Sequence, residues 1–345
     1  MRNRIIILVV LFVIILMSSC NFSSEPEYQF VNRVALFNID GSGQHLYQGS
    51  LGERYLYNAS IIPMNDNNRF VLCNRDLFII NTETDDVSVH LTDIDIDFFT
   101  NTSTNRYDIS SMSKDDQYFA FSSDYEIYIA DMNTMEYENV TSGYLDEYPR
   151  FGLDNTLYFS RYDEDNDIYK VMSLDTESNE LVEICTSEDW ITDIFPGNID
   201  ENIVYYVVDE FSFRKVDTGD DNVTLLYDFP EYPTIVSRTN DDRYFNFSCG
   251  KGGHYLYDTE YLYDTEFDEV QTYLDNAHIY CRILPDRKIA ISKTDSGPAI
   301  INLWDIDNNS QYGESYELDK SGGSGSSNLA LSPDGLKAMT GHSFR

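Results

Sequence analysis

Cationic residues are scarce in this chain. Only 23 lysines and arginines stand against 60 aspartates and glutamates, which gives a formal net charge of −37. A surface of this charge repels the phosphate groups of nucleic acids and of anionic lipids. We therefore expect no nucleic-acid partner, and we interpret the acidic residues mainly as a solvated exterior.

The short motifs of common catalytic centres are also missing. The five histidines form no HExxH or HxH pair, so their spacing does not indicate a zinc site. No G-x-S-x-G nucleophile elbow occurs. The cysteines after Cys20 show no CxxC spacing and lie in apolar, strand-like segments, where we expect buried free thiols; they are Cys73, Cys185, Cys249 and Cys281.

The N-terminus carries the most specific feature. Arg2 and Arg4 precede an apolar run that ends at Met17, and two serines then lead to Cys20. This order is typical of a secretory signal, and the run is short for a bilayer span of about 20 residues, although an uncleaved anchor is the alternative. The residues "MSSC" resemble the bacterial lipobox. The resemblance implies a lipoprotein signal peptide over residues 1–19, acylation of Cys20, for example with palmitate, and a lipidated tether over residues 20–30.

The lipobox resemblance also predicts a location. A lipidated Cys20 would hold the chain on a membrane of the bacterial cell envelope. Asn21 follows the cysteine, where an aspartate would favour retention in the inner membrane of diderm bacteria. We therefore expect the outer membrane rather than the inner membrane.

A polar turn recurs along the rest of the chain. Each copy is followed by an aromatic or β-branched run, such as "RFVLCN" or "YFAFSSD", and then by a second run that ends in an acid or amide. Four short strands per period of about 45 residues are typical of a propeller blade. We predict one all-β propeller domain over residues 31–345. The seven turns occupy residues 65–69, 113–117, 152–155, 198–202, 239–243, 284–287 and 332–335.

The two ends of the chain each hold half of a repeat. The terminal "NLALSPDGLKAMTGHSFR" supplies two inner strands, and "RVALFNIDGSGQHLYQG" near the N-terminus supplies two outer strands. Pairing them would close the ring without free sheet edges. We therefore predict a seven-bladed β-propeller, with six or eight blades as alternatives because the register around "HYLYDTEYLYDTEFDE" is ambiguous.

The phrases "LALSPDG" and "LFNIDGSGQHLYQG" resemble the repeats of TolB-like propellers, a kind of WD-repeat-like fold. In that pattern the third strand of a blade ends in aspartate, and a hairpin turn follows. An Asp or Asn at a strand end can accept hydrogen bonds from the backbone amides of the next turn, so we expect these residues to be structural. They are Asp40, Asn81, Asp131, Asp175, Asp217, Asp264 and Asp305.

Two stretches are candidate ligand sites. Asp163, Asp165 and Asp167 alternate in "YDEDNDIY", and oxygen ligands at alternate positions are what a calcium loop supplies. Trp190 follows a blade connection and is a candidate sugar platform, whereas Trp304 lies in a strand and is expected in the core. A second, weaker calcium candidate is "DIDID", with Asp93, Asp95 and Asp97.

The absence of a catalytic motif decides the functional prediction. We predict a lipid-anchored, non-catalytic propeller that serves as a scaffold for an envelope protein or ligand, with no cofactor unless calcium binds. Two alternatives stay open. One is a glycan lyase or hydrolase that uses carboxylates on a propeller face, and the other is a calcium-dependent adhesion module.

Overall fold

A computed structural model describes most of the chain after residue 30. The described residues are 31–47, 60–73, 76–91, 110–208, 212–230, 232–250, 257–275, 280–284, 289–293, 299–305, 307–308, 310–318 and 326–344. They form 29 strands and no helix, so the predicted all-β propeller is confirmed. Within these ranges no helix is long and apolar enough to cross a membrane. Residues 1–30, with the predicted signal peptide and Cys20, lie outside them.

Six sheets are each built from consecutive strands, and we number them in chain order. Sheet 1 contains β3 (Ser60–Pro63), β4 (Arg69–Cys73), β5 (Leu77–Asn81) and β6 (Asp86–Leu91). Sheet 2 contains β7 (Ser110–Met112), β8 (Tyr118–Ser123), β9 (Glu126–Asp131) and β10 (Glu136–Asn139). Sheet 3 contains β11 (Leu145–Phe151), β12 (Leu157–Asp163), β13 (Ile168–Leu174) and β14 (Leu181–Ser187).

The remaining consecutive sheets follow the same antiparallel order. Sheet 4 contains β15 (Ile191–Pro196), β16 (Ile203–Val208), β17 (Ser212–Asp217) and β18 (Asn222–Asp228). Sheet 5 contains β19 (Tyr232–Arg238), β20 (Tyr244–Gly250), β21 (Tyr257–Asp264) and β22 (Glu269–Asp275). Sheet 6 contains β23 (Tyr280–Ile283), β24 (Ile289–Lys293), β25 (Ala299–Asp305), β26 (Ser310–Gln311) and β27 (Tyr316–Leu318); both β26 and β27 pair with β25.

A further sheet, the composite sheet, joins the two ends of the described chain. Its strands are β28 (Ser326–Leu331), β29 (Lys337–Phe344), β1 (Val31–Asn38) and β2 (His45–Tyr47), in that order across the sheet. Strands β1 and β29 pair antiparallel along their whole length, from Val31 opposite Phe344 to Asn38 opposite Lys337. The strand β28 contacts both β3 of sheet 1 and β23 of sheet 6, so the composite sheet lies between these two sheets.

The first strand of each sheet lies innermost. These strands, β3, β7, β11, β15, β19, β23 and β28, each contact the innermost strands of the neighbouring sheets and so surround the central axis. The described apolar core lies between adjacent sheets. For example, Phe119 and Phe121 of sheet 2 pack with Val71 and Ile79 of sheet 1.

Burial explains the strand sequences. The second strand of a sheet is covered on both faces by its neighbours, which is why β8 reads "YFAFSS" without alternation and five of its six residues are buried. The fourth strand lies at the rim, and all four residues of β10 are exposed. Because every sheet has the same order of strands, the turns between first and second strands lie together at one end of the axis, which we call the turn end.

Candidate functional site

Most of the repeated acids complete turns. At the ends of the third strands, each Asp or Asn side chain accepts a hydrogen bond from a backbone amide two or three residues later. In the turns between first and second strands, a second set of aspartates does the same. This second set is Asp66, Asp115, Asp154, Asp200, Asp241 and Asp334. The predicted structural role of the strand-end acids is confirmed.

A third set of turn residues joins neighbouring sheets. Asn67, Asp116 and Asp242 have positive φ angles of 65°, 60° and 53°. Each side chain accepts a hydrogen bond from the turn of the preceding sheet: Asn67 from the Asp334 amide at 2.8 Å and Asp116 from the Asn65 amide at 2.9 Å. Asp242 accepts from the amide of Asn198 in the same way. The carboxylate of Asp242 is therefore first of all a link between sheets 4 and 5.

Two arginines lie close to this link on the innermost strands. Arg238, at the end of β19, donates to Asp242 Oδ1 at 2.9 Å and to Asn198 Oδ1 at 3.1 Å. Arg150, on β11, donates to the Ser110 carbonyl at 2.9 Å and to Asp193 Oδ1 at 3.1 Å. Each guanidinium uses only part of its five N–H donors in these bonds.

The ring of Phe195 lies beside both arginines. The guanidinium carbon of Arg150 is 5.5 Å from the ring centroid, and that of Arg238 is 5.6 Å away. The side chains of Arg150 and Arg238 are only 11% and 16% exposed. Sheets 3, 4 and 5 thus contribute charged groups to one small volume at the turn end.

Lys114, in sheet 2, lies within the range of charge interaction with this group but is itself exposed to solvent. It occupies the turn after β7, and its charge interacts with those of Arg238 and Asp242, which belong to a sheet that does not adjoin its own. Loss of hydration among the surrounding atoms, reinforced by the positive charge of Arg238, lowers the pKa of Lys114. Burial raises the pKa of Asp242, although Arg238 and the amides of Asn198 and Ile199 oppose that shift.

We name Lys114, Arg150, Asp193, Arg238 and Asp242 the axial cluster. It holds three cationic side chains and two carboxylates in a chain that is otherwise strongly acidic. Arginine guanidinium groups pair with carboxylates through two parallel hydrogen bonds, and a lysine of lowered pKa is suited to accept a proton. The cluster can therefore bind an anionic, carboxylated ligand beside an amine.

Sequence reasoning missed this cluster. Three of the innermost strands carry β-bulges where the register shifts: between Glu147 and Arg150 in β11, between Ile191 and Asp193 in β15, and between Ile235 and Ser237 in β19. A bulge breaks the alternation of side chains and redirects those that follow it. The available signal was the scarcity of lysine and arginine, which makes any cation next to a recurring turn unusual.

The aspartates of the calcium candidate in "YDEDNDIY" do not come together as one set of ligands. Asp163 forms an ion pair with Lys170 at 3.0 Å, and Asp167 accepts a hydrogen bond from the Tyr162 hydroxyl at 2.8 Å. Asp165 is exposed. Among the described residues, no group of three or more His, Cys, Asp or Glu side chains could hold a metal ion. Asp93, Asp95 and Asp97 lie outside the described residues.

The remaining candidates are partly placed. Cys73 is buried and free, as expected, whereas Cys185 is free but only half-buried. The side chains of Cys249 and Cys281 lie outside the described part of the structure. Trp190 and Trp304 are both half-buried, so Trp304 is not enclosed in the core as the sequence suggested.

Comparison with known proteins shows similarity of fold. No family model and no curated protein sequence matches the chain. An oligogalacturonate lyase in complex with manganese has a TM-score of 0.58 and 13% identity, covering 90% of this chain and 91% of that one. The oligogalacturonate lyase of Vibrio parahaemolyticus has a TM-score of 0.58 and 13% identity, covering 91% and 97%. TolB of Acinetobacter baumannii has a TM-score of 0.48 and 14% identity, covering 82% and 63%.

These similarities correct the prediction of a non-catalytic scaffold. That prediction took the lack of a catalytic motif or of a second domain to mean the lack of an enzyme. Two of the similar structures are lyases, and the similarity covers 91% and 97% of those chains, so an enzyme with this fold does not need a further large domain. At 13% identity the similarity concerns the fold alone, and the manganese belongs to the lyase that contains it. The predicted β-propeller fold is confirmed by the order of the sheets.

Proposed function

We propose that the chain is an enzyme that cleaves carboxylated oligosaccharides, and that the axial cluster is its catalytic centre. The observation that carries this proposal is the meeting of Lys114, Arg150 and Arg238 at one end of the axis. These cations would attract an anionic sugar to a surface that elsewhere repels it. The oligogalacturonate lyases of similar fold act on such a sugar, as their names state.

Elimination suits these groups better than hydrolysis. In a uronic acid the proton on C5 is adjacent to the carboxylate, and it becomes more acidic when cations neutralise that carboxylate. A base then removes the C5 proton, the C4–O bond breaks with its electron pair leaving on the oxygen, and a C4=C5 double bond forms. The leaving oxygen takes up a proton, so no water is consumed.

Each residue of the axial cluster has an assigned task. The N–H groups of Arg150 and Arg238 that form no hydrogen bond to the described residues named above bind the uronate carboxylate, and Asp193 and Asp242 hold the two guanidinium groups in place. Lys114 is assigned as the acceptor of the C5 proton because it is the amine next to Arg238 and Asp242; loss of hydration and then the charge of Arg238 lower its pKa from the ordinary value. The described residues do not fit a manganese site, so no step is assigned to a metal.

The test is an assay with oligogalacturonate and with the same oligosaccharide after reduction of its carboxyl groups. We expect ultraviolet absorbance from the unsaturated product with the first substrate and no cleavage of the second. Lys114→Ala should lower kcat by about 10²- to 10⁴-fold, as for other general bases. Arg238→Ala should also raise KM.

A matched control for Arg238→Ala is an arginine in the hairpin between β19 and β20. Arg243 directly follows Asp242, but it pairs with Asp264 and Glu266 away from the axis, so Arg243→Ala should retain full activity. If new reducing ends form without ultraviolet absorbance, the reaction is hydrolysis and the proposed elimination is wrong. No cleavage of oligogalacturonate or of other uronate-containing oligosaccharides would overturn the proposal.

We also propose that acylation of Cys20 attaches this enzyme to a membrane of the bacterial cell envelope. The proposal is supported by the "MSSC" sequence behind a basic and apolar leader. Mass spectrometry of the N-terminal peptide should find acyl chains on the native protein and none on Cys20→Ala. Cys185→Ala should remain acylated.

Finally, we propose that the composite sheet serves as the seventh blade of a closed ring. Its support is the full pairing of β1 with β29 and the contacts of β28 with sheets 1 and 6. Lys337 of β29 adds hydrogen bonds to Asn68 at 2.7 Å and to Thr82 at 3.1 Å in sheet 1.

A further inference from the structure

A second group of unusual residues lies at the opposite end of the axis. Tyr144 directly precedes the innermost strand β11, whereas Arg150 stands near the other end of that strand. With a rise of about 3.3 Å per residue, the two are separated by roughly 20 Å. Whatever Tyr144 does is therefore distinct from the chemistry of the axial cluster.

Tyr144 has one face covered and much of its surface exposed. The guanidinium carbon of Arg161 lies 4.2 Å from its ring centroid, and the residue is still 47% exposed. Arg161 is itself fixed by two hydrogen bonds to Asp146, of 2.7 and 2.8 Å, and that carboxylate is fully buried. The ring is thus mounted on a rigid, buried ion pair, which limits the entropy lost when a ligand stacks on it.

Tyr125 stands at the same end of the axis. Its backbone carbonyl accepts a hydrogen bond from the Asp146 amide at 2.8 Å, so both tyrosines are tied to the start of β11. Tyr125 is 46% exposed and has a φ angle of 62°, next to Asp124 at 50°. Left-handed φ angles are unfavourable for a bulky residue, and such strain concentrates at ligand-binding sites.

The surroundings select the chemistry of the ligand. A Cβ atom placed on Gly143 would meet nothing within 4 Å, so there is open space beside Tyr144. Asp124 and Glu126 flank Tyr125 in the sequence, and their negative charge disfavours anions. Glu126 accepts hydrogen bonds from Tyr128 and Asn139, and the Asp124 carboxylate can accept hydrogen bonds from hydroxyl groups. Exposed aromatic rings flanked by such acceptors match the apolar face and hydroxyl edge of a neutral pyranose.

We propose that Tyr144 and Tyr125 form a binding site for a neutral pyranose ring, separate from the catalytic centre. Trp190 directly precedes β15, as Tyr144 precedes β11, so it occupies the matching place on the next sheet. An oligosaccharide bound at Tyr144 extends toward this residue along the rim of the axis. The site holds neutral sugar of the cell surface or of a mixed polymer while the axial cluster acts elsewhere.

The experiment is isothermal titration of the full-length protein with neutral hexasaccharides of glucose, mannose, galactose and xylose. We expect saturable binding of at least one of them. Tyr144→Ala should weaken it at least about fivefold, the effect of one stacked aromatic ring, whereas Tyr144→Phe should retain it. Tyr312→Ala, which removes a ring of similar exposure (51%) from sheet 6, should leave the affinity unchanged.

Two results would overturn this site. One is that none of the four hexasaccharides binds, and the other is that Tyr144→Ala binds as well as the native protein. A thermal melt of each variant separates loss of binding from loss of folding. Lys114→Ala is expected to bind the neutral sugar normally, so this site and the proposed catalytic centre fail or succeed independently.

Discussion

Many aspartates of this protein stabilise turns by accepting hydrogen bonds from backbone amides. In sheet 1, Asn81 occupies the position that an aspartate holds at the strand end of the other sheets. Its side-chain oxygen accepts the same kind of hydrogen bonds, from the backbone amides of Glu83 and Thr84. What the position requires is therefore an oxygen acceptor on a short side chain rather than a charge. The difference between aspartate and asparagine at this position lies in protonation, because only aspartate takes up a proton at low pH.

The turn aspartates predict how stability depends on pH. The amides of Ser178 and then Glu177 lower the pKa of Asp175 below its ordinary value. A carboxyl group whose pKa is lower in the folded state stabilises the protein above its unfolded pKa of about 3.9. That contribution is lost as the pH falls through the folded pKa. The pKa is lowered in the same sense for Asp40, Asp66, Asp115, Asp163 and Asp264.

We expect the free energy of unfolding to decrease as the pH falls below about 4. Asp175→Asn should keep the neutral-pH stability, as Asn81 indicates, and should lose part of this decrease because it cannot be protonated. Denaturant unfolding of both proteins at several pH values measures the difference. An identical pH dependence for the variant would mean that Asp175 does not contribute.

At the scale of elements, the hairpin between β8 and β9 departs from the residue preference of its turn type. The two-residue turn between β8 and β9 has positive φ at both Asp124 and Tyr125. Hairpins of this type favour Asn-Gly or Asp-Gly, because glycine adopts positive φ without steric cost. Tyrosine at the second position opposes the local preference, which suggests that its ring is kept for a reason other than folding.

Tyr125→Gly should therefore stabilise the protein, by about 0.5 to 1 kcal/mol. Tyr125→Ala removes the same ring but keeps the unfavourable φ, so it should give no gain. Calorimetric melting temperatures of the two variants and the native protein test this ordering. If Tyr125→Gly melts below Tyr125→Ala, the ring contributes more to stability than the backbone strain removes.

The strands themselves were largely predictable from the sequence. Continuous apolar runs and recurring polar turns are local patterns, and each sheet repeats them with little change. The positions of the axial cluster were not predictable, because Arg150, Asp193 and Arg238 follow or border β-bulges in their strands. Local sequence does not reveal where a bulge redirects a side chain.

For the whole molecule, the pairing of the chain ends decides how the ring responds to truncation. The strand β1 lies between β2 and β29, and its residues Val34 and Phe37 are fully buried. Removing residues 1–47 would expose the edge of β29 and the apolar surface beneath β1. Removing residues 1–30 deletes no strand that the structure describes.

We expect the protein without residues 1–30 to unfold in one cooperative transition close to that of the full chain. The protein without residues 1–47 should melt at a lower temperature, with a broader transition, because sheets 6 and 1 lose a partner between them. Circular dichroism during heating distinguishes the two. Equal melting temperatures would show that the composite sheet does not close the ring.

By itself, the sequence determined the all-β propeller, its repeated turn chemistry and its acidic surface, since these follow from local patterns and from composition. It led to the wrong functional class, because it offered no motif and the inference depended on that absence. Only the tertiary structure brought Lys114, Arg150 and Arg238 to one end of the axis. They come from three separate sheets, and contacts between repeats depend on how the ring packs rather than on spacing along the chain.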